Sequence, residues 1–231
     1  MKSASDVDYE KYVMSIFIGF TGYIICSLLA SVALFAFQTL FYISDESVRF
    51  LSSSAAKFLL AFWIVLTVIK YEKNNLATLG FRKERLGYYI RHTIIVVVII
   101  TITFFALFAL CSLLNIPSGV GFVTAITLVK LPSFWIFIAS SAVAEEILFR
   151  AFLLDRLILL AKNKFNLVLI ISLIYGLLHY SLWGWSGVIA FSAWGFMLAL
   201  YYVYVEKNII PLIIAHLISD AIIFMGISII F

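Results

Sequence analysis

The sequence predicts an all-α polytopic membrane bundle with about seven transmembrane helices. Three observations predict it. Of the 231 residues, 65% are hydrophobic and only 12% are charged, whereas a soluble domain is about half apolar and about a quarter charged. Mean hydropathy is +1.14. Charge-free runs of the roughly 20 residues needed to cross a bilayer recur along the whole chain. A soluble globular domain is therefore excluded. With 22 Phe and only 3 Pro, so is a disordered chain.

The first apolar run extends from Val13 to Ser44 and predicts a helix near 13–41. The second span is expected at 50–69, with Lys57 close to its start. A polar stretch follows from Lys70 to His92, and the third span at 93–115 is stopped by Asn115-Ile116-Pro117. A connection containing Ser118, Gly119 and Gly121 leads to Leu131-Pro132. The remaining spans are expected at 133–156, 166–182, 185–205 and 209–231. Apolar runs of this length read as helices, because a helix satisfies all of its backbone polar groups within the segment. The chain divides into N-terminal transmembrane helices with a charged loop, 1–120, and a helical core, 121–231, where ionisable residues enter the spans. Within the loop, Leu79, Phe81, Leu86, Tyr88 and Tyr89 fit either a segment lying along the membrane surface or a solvated loop.

The formal charge is +4, yet the basic residues sit mostly in short loops, which points to membrane orientation and not to nucleic acid. With a cytoplasmic N-terminus, 13 of the 16 basic residues fall inside: Lys2, Lys11, Lys70, Lys73, Arg82, Lys83, Arg85, Arg91, Arg150, Arg156, Lys162, Lys164 and Lys207. Arg49, Lys57 and Lys130 fall outside. The expectation is a multi-pass protein of the cell membrane with its C-terminus outside. Trp183 and Trp185 then belong to the outer aromatic belt, and Tyr201, Tyr202 and Tyr204 to the inner one. Asp6, Asp8 and Glu10 ahead of an overlong apolar run do not read as a cleavable signal peptide. Cys26 and Cys111 lie in apolar runs without metal-ligand spacing and read as small core residues.

An ionisable group deep in a span costs at least about 2.5–3.5 kcal/mol. Those that enter the spans are Glu145, Glu146, Arg150, His179, His216 and Asp220. Glu146 and Arg150 are four apart on one helical face and can pair. Glu145 is turned about 100° away from Glu146 and about 140° from Arg150, so it is expected to stand unneutralised, as a general base would. Tyr175 and His179 share a face, as do His216 and Asp220. Each pair alone reads as helix packing. Counted at about 1.5 Å per residue from the inner ends of their helices, the polar groups reach similar depths. One water-containing cavity lined by three helices explains that coincidence.

Glu145-Glu146-x-x-x-Arg150, Tyr175-x-x-x-His179 and His216-x-x-x-Asp220, in this order on successive membrane helices, resemble the three motifs of the CPBP family of CAAX-protease and bacteriocin-processing proteins, also called Abi proteins. The motif region covers about 130–225, and Leu79-Gly80-Phe81-Arg82-Lys83 is similar to a segment found upstream in such proteins. The resemblance implies an intramembrane endopeptidase, with 121–231 as its catalytic helix core. It implies that Glu145 and His179 activate a water and that His216 and Asp220 form an oxyanion hole, with Glu146, Arg150 and Tyr175 in support. Two positions depart from the pattern. Tyr175 stands where Phe is usual, and Asp220 where many members have Asn. An Asp donates only when protonated, so Asp220 has the alternative role of orienting His216.

No cofactor is expected. The chain has no His-Glu-x-x-His, and zinc, held by Glu145, His179 and His216, is the lesser alternative. The expected partners are a peptide or membrane-protein substrate and the lipid bilayer. The alternative functions are a non-proteolytic bacteriocin self-immunity or scaffold protein, and a proton-coupled transporter, for which no inverted repeat speaks.

Overall fold

A computed structural model describes residues 9–41, 46–119 and 128–230. Among these residues the chain forms seven long helices and no strand. Helix α1 is Tyr9–Phe41. α2 is Glu46–Leu66 and ends in a wide π-helical turn, Thr67–Tyr71. α3 is Leu86–Leu113. α4 is built of Pro132–Glu145, a π-helical stretch Glu146–Leu154, and Asp155–Leu160. α5 is Lys164–Leu177. α6 is Tyr180–Leu200, followed by a π-helical turn Tyr201–Val205. α7 is Ile209–Ile230.

The chain is a multi-pass membrane protein. Five of its helices, α1, α2, α3, α6 and α7, are long and apolar enough to cross a membrane. α4 has the length but carries the charged motif. α5, at 14 residues, is only about 21 Å long.

The expected spans match these helices in order, with shifted ends. The third helix starts at Leu86, not near 93, so Leu86, Tyr88 and Tyr89 belong to α3. The preceding polar stretch is neither a surface helix nor a plain solvated loop. Leu76–Leu79 form one 3-10 turn, Leu79 is fully buried, and Gly80 turns left-handed at φ 76°. The Gly80 carbonyl accepts from the Ile209 N–H at 2.9 Å, pinning the loop to the start of α7.

The fifth span ends at Leu177 rather than 182. His179 lies in the short break between α5 and α6. Gly184, at φ 63° and ψ −161°, kinks the first turn of α6, a conformation open chiefly to glycine. The connection before α4 closes this kink: Ser118 bridges to Gly184, and the Ser186 N–H donates to the Pro117 carbonyl at 3.2 Å. Gly121 lies outside the described residues.

Small residues set the spacing of α5 and α6. A Cβ on Gly176 would sit 2.0 Å from Ser192 Oγ and 2.5 Å from the Val188 carbonyl oxygen. Behind this contact an aromatic core joins Phe104 of α3 to Trp183, Phe191 and Trp194 of α6. Trp183 is thus a core residue and not part of an interfacial belt, whereas Trp185 is exposed. Tyr201 and Tyr202 are also buried, and Tyr201 is hydrogen-bonded to His92. Only Tyr204 of that trio faces outward. Cys26 and Cys111 are free and buried, as expected.

One end of the bundle is bound by ionic contacts. Arg156 reaches Glu72 just past α2, and Ser15 of α1 donates to the same carboxylate at 2.5 Å. Lys207 pairs with Asp155, and the Asn208 side chain donates to the Arg82 carbonyl at 3.3 Å.

Candidate active site

The polar groups of α4 point to three different neighbours because consecutive helical residues diverge by about 100°. Glu146 and Arg150 face inward and pair at 2.9 Å. Both are almost fully buried. The pairing is the one their spacing predicts. Arg150 also lies 4.6 Å from the centre of the Tyr175 ring and reaches the Gly195 carbonyl at 3.4 Å. A Cβ on Gly195 would stand 2.9 Å from the Tyr175 ring and 3.4 Å from the guanidinium.

Glu146 has a second partner. His216 Nδ1 lies 2.8 Å from the same Oε1 atom, tying α7 to α4. The other ring nitrogen, Nε2, faces Asp220 Oδ2 at 3.5 Å. His216 therefore stands between two carboxylates, with Trp194 edge-on at 5.4 Å between ring centres. Ser219, between them in sequence, accepts from Thr101 of α3 at 3.0 Å.

Glu145 departs from expectation. It is not unneutralised: Lys57 Nζ of α2 lies 3.1 Å from Oε1. An expected span of 50–69 puts Lys57 close to its start and so at the outer rim. The helix begins at Glu46, three turns earlier, so Lys57 is well inside it. A usable signal was present, since Lys57 lies 14 residues before Tyr71 and Glu145 lies 15 before Leu160. That is about 21–22 Å from the same end for both.

Oε2 of Glu145 accepts from the Tyr175 hydroxyl at 3.0 Å. This hydroxyl is what distinguishes Tyr from the Phe usual at that position. His179 follows, its ring 4.8 Å from Tyr175 and stacked on Phe191 at 4.1 Å. His179 Nδ1 donates to the Tyr175 carbonyl at 2.8 Å, which leaves Nε2 as the nitrogen with the lone pair.

Glu145, Glu146, Arg150, Tyr175, His179, His216 and Asp220 thus come from three helices, α4, α5 and α7, and from the break after α5 to one region, with Lys57 from a fourth helix, α2. Among the described residues no group of three His, Cys, Asp or Glu side chains stands as a metal site. Glu145 is engaged by Lys57 and Tyr175, and His216 by Glu146 and Asp220.

Such an arrangement offers a carboxylate, a neutral imidazole and a carboxylate-flanked imidazole inside a membrane bundle, the parts for moving a proton and stabilising a negative oxygen. Comparison with curated proteins and with solved structures finds no match to this chain. Residues 127–222 match the family model described as type II CAAX prenyl endopeptidase Rce1-like. The stretch holding Glu145, Glu146, Arg150, Tyr175, His179, His216 and Asp220 is therefore Rce1-like, and the resemblance of its three motifs to the CAAX-protease family stands.

Proposed function

We propose that this chain is an intramembrane endopeptidase that cleaves a peptide or membrane-protein segment with water activated by Glu145 and His179. The observation that carries the reading is the pairing of Glu145 Oε2 with the Tyr175 hydroxyl, 3.0 Å apart, one helical turn before His179. It joins the first two motifs of an endopeptidase-like stretch into one constellation.

In this reading a water accepts direction from the His179 Nε2 lone pair and gives its proton to the Glu145 carboxylate. Its oxygen attacks the scissile carbonyl carbon. Each carboxylate oxygen has two lone pairs, so Glu145 can bind Lys57 and Tyr175 and still accept that proton. The negative oxygen of the tetrahedral intermediate is met by the His216 Nε2–H, whose contact with Asp220 at 3.5 Å is long enough to be exchanged for a substrate oxygen. Asp220 orients His216 in the absence of substrate. Glu145 then returns the proton to the leaving amine, the peptide C–N bond breaks, and the balance closes on one water consumed. Glu146 and Arg150 hold His216 and Tyr175 in place. Lys57 completes the ionic set. No metal takes part in these steps.

The test is cleavage of a membrane-tethered peptide by the purified protein, with and without chelator. Glu145→Gln at normal membrane level is expected to abolish turnover. Full activity in Glu145→Gln overturns the reading. Loss of wild-type activity with chelator, restored by zinc, replaces the water-activation scheme with a metal-dependent one. A wild-type protein that cleaves no tethered segment but is retained by a membrane partner favours the scaffold reading.

A further inference from the structure

Lys57 lies along one stripe of α4. Its ammonium donates to Ser141 Oγ at 2.5 Å and to Glu145 Oε1 at 3.1 Å, and stands 4.4 Å from the centre of the Phe137 ring. Phe137, Ser141 and Glu145 are spaced by four residues, so they form a single ridge on α4 that faces α2. Ser141 is itself fixed, donating to the Phe137 carbonyl at 2.9 Å. The lysine is therefore held at two points, one neutral and one charged, with an aromatic face beneath it.

The two oxygens of Glu145 are thereby sorted. Oε1 faces α2 and the lysine. Oε2 faces α5, Tyr175 and the His179 side of the site. On the other side of Lys57 a groove of about 340 Å³ runs between α1 and α2, lined by Ser27, Ser31, Ser52, Ser53 and Arg49. Lys57 itself lines this groove, and its side chain is 24% exposed.

We propose that Lys57 is the positioning residue for Glu145: by holding Oε1 against α2, it fixes the carboxylate so that Oε2 is the oxygen presented to α5 and to the substrate. This rests on Glu145 being the base of the proposed peptidase. An ammonium has three donors, and the third is left for the serine-lined groove. An arginine in the same place could keep the charge and one hydrogen bond to Oε1. A methionine keeps the length of the stem and removes both.

The experiment is steady-state cleavage of a membrane-tethered peptide by the purified full chain, comparing wild type, Lys57→Arg and Lys57→Met. Lys57→Met is expected to lower kcat on the order of 10²-fold, the effect of a carboxylate free to turn out of its working geometry. KM is expected to change little, and Lys57→Arg to restore most of kcat. Wild-type kcat in Lys57→Met overturns the proposal. So does an equal loss in Lys57→Arg and Lys57→Met, or a loss carried by KM alone. A second measurement stands apart from proteolysis: thermal midpoints of Lys57→Met, Glu145→Gln and the double variant. Coupling between the two sites supports the pairing even for a protein that proves not to be a peptidase. Strict additivity overturns it.

Discussion

Arg156 and Glu72 are joined by two hydrogen bonds, Nε to Oε1 at 3.0 Å and Nη2 to Oε2 at 2.8 Å, with both side chains buried. This fork links the last turn of α4 to the end of α2, and Ser15 adds α1 to the same carboxylate. Breaking a buried pair by removing one partner costs about 3–5 kcal/mol, because the other charge stays behind. Arg156→Ala is expected to lower the thermal midpoint of the purified protein sharply, and Arg156→Lys to restore part of it, since lysine keeps the charge but loses the fork. Midpoints in detergent check this.

The same pair sets an acid limit. Burial alone would push the Glu72 carboxyl up, but the hydrogen bonds from Arg156 and Ser15 and the Arg156 charge outweigh it and hold it below its ordinary value of 4.5. A carboxyl depressed in the folded state adds stability above its unfolded value and loses it as pH falls through the folded one. The wild-type midpoint is therefore expected to hold at neutral pH and to fall as pH drops below 4.5. Glu72→Gln, already lower at neutral pH, is expected to lose that part of the pH dependence. A parallel acid slope in both proteins contradicts the assignment.

Removing Arg150 leaves Glu146, among the described residues, with His216 as its ionic partner. Arg150→Ala is expected to reduce the amount of folded protein in the membrane. Glu146→Gln combined with Arg150→Gln should recover more than either single change, because the buried charge is gone and the Gln carbonyl can still accept from His216. Quantified membrane level decides, and normal levels in both single variants remove the pair from the fold's support.

For the chemistry, Glu145→Gln and His179→Ala should each cost on the order of 10²–10⁴ in rate. Acting on one water, they should lose little more together than the worse one alone. His216→Ala should lower kcat as well, through the lost oxyanion donor. Initial rates on a tethered peptide measure all three, and additive losses contradict a shared water.

The excess of basic residues in the expected inner loops, from Lys70 to Arg91 and at Lys162, Lys164 and Lys207, predicts that reporters fused after Lys164 and after Phe231 lie on opposite sides, with Lys164 in the cytoplasm. Compartment-specific reporter activity reads this directly, and the same side for both overturns the topology.

Sequence made the helices legible because a membrane span leaves a long uncharged run. The Glu146–Arg150 pair was legible because four residues make one helical turn. Lys57 was not, since an expected span start at residue 50 puts the lysine near the rim, and its partner lies 88 positions away. The second partner of Glu146 escaped for the same reason: His216 is 70 positions distant. Glu72–Arg156 was hidden by the opposite circumstance, two charges at the ends of expected spans, where charges are ordinary. The place of His179 was missed because apolar residues continue past Leu177, and nothing in hydropathy marks a helix that stops and restarts.

That restart ties His179 to a distant part of the chain. The Pro117 carbonyl receives the Ser186 N–H, and Ser118 bridges to Gly184, only a few residues past His179. A chain made from its N-terminus lays down Pro117 and Ser118 well before Gly184 emerges. The turn beside His179 is therefore closed by backbone partners that come from the earlier half of the chain and are made before it. A copy of 127–222 produced alone would contain every motif residue and still lack the surface that shapes the turn beside His179.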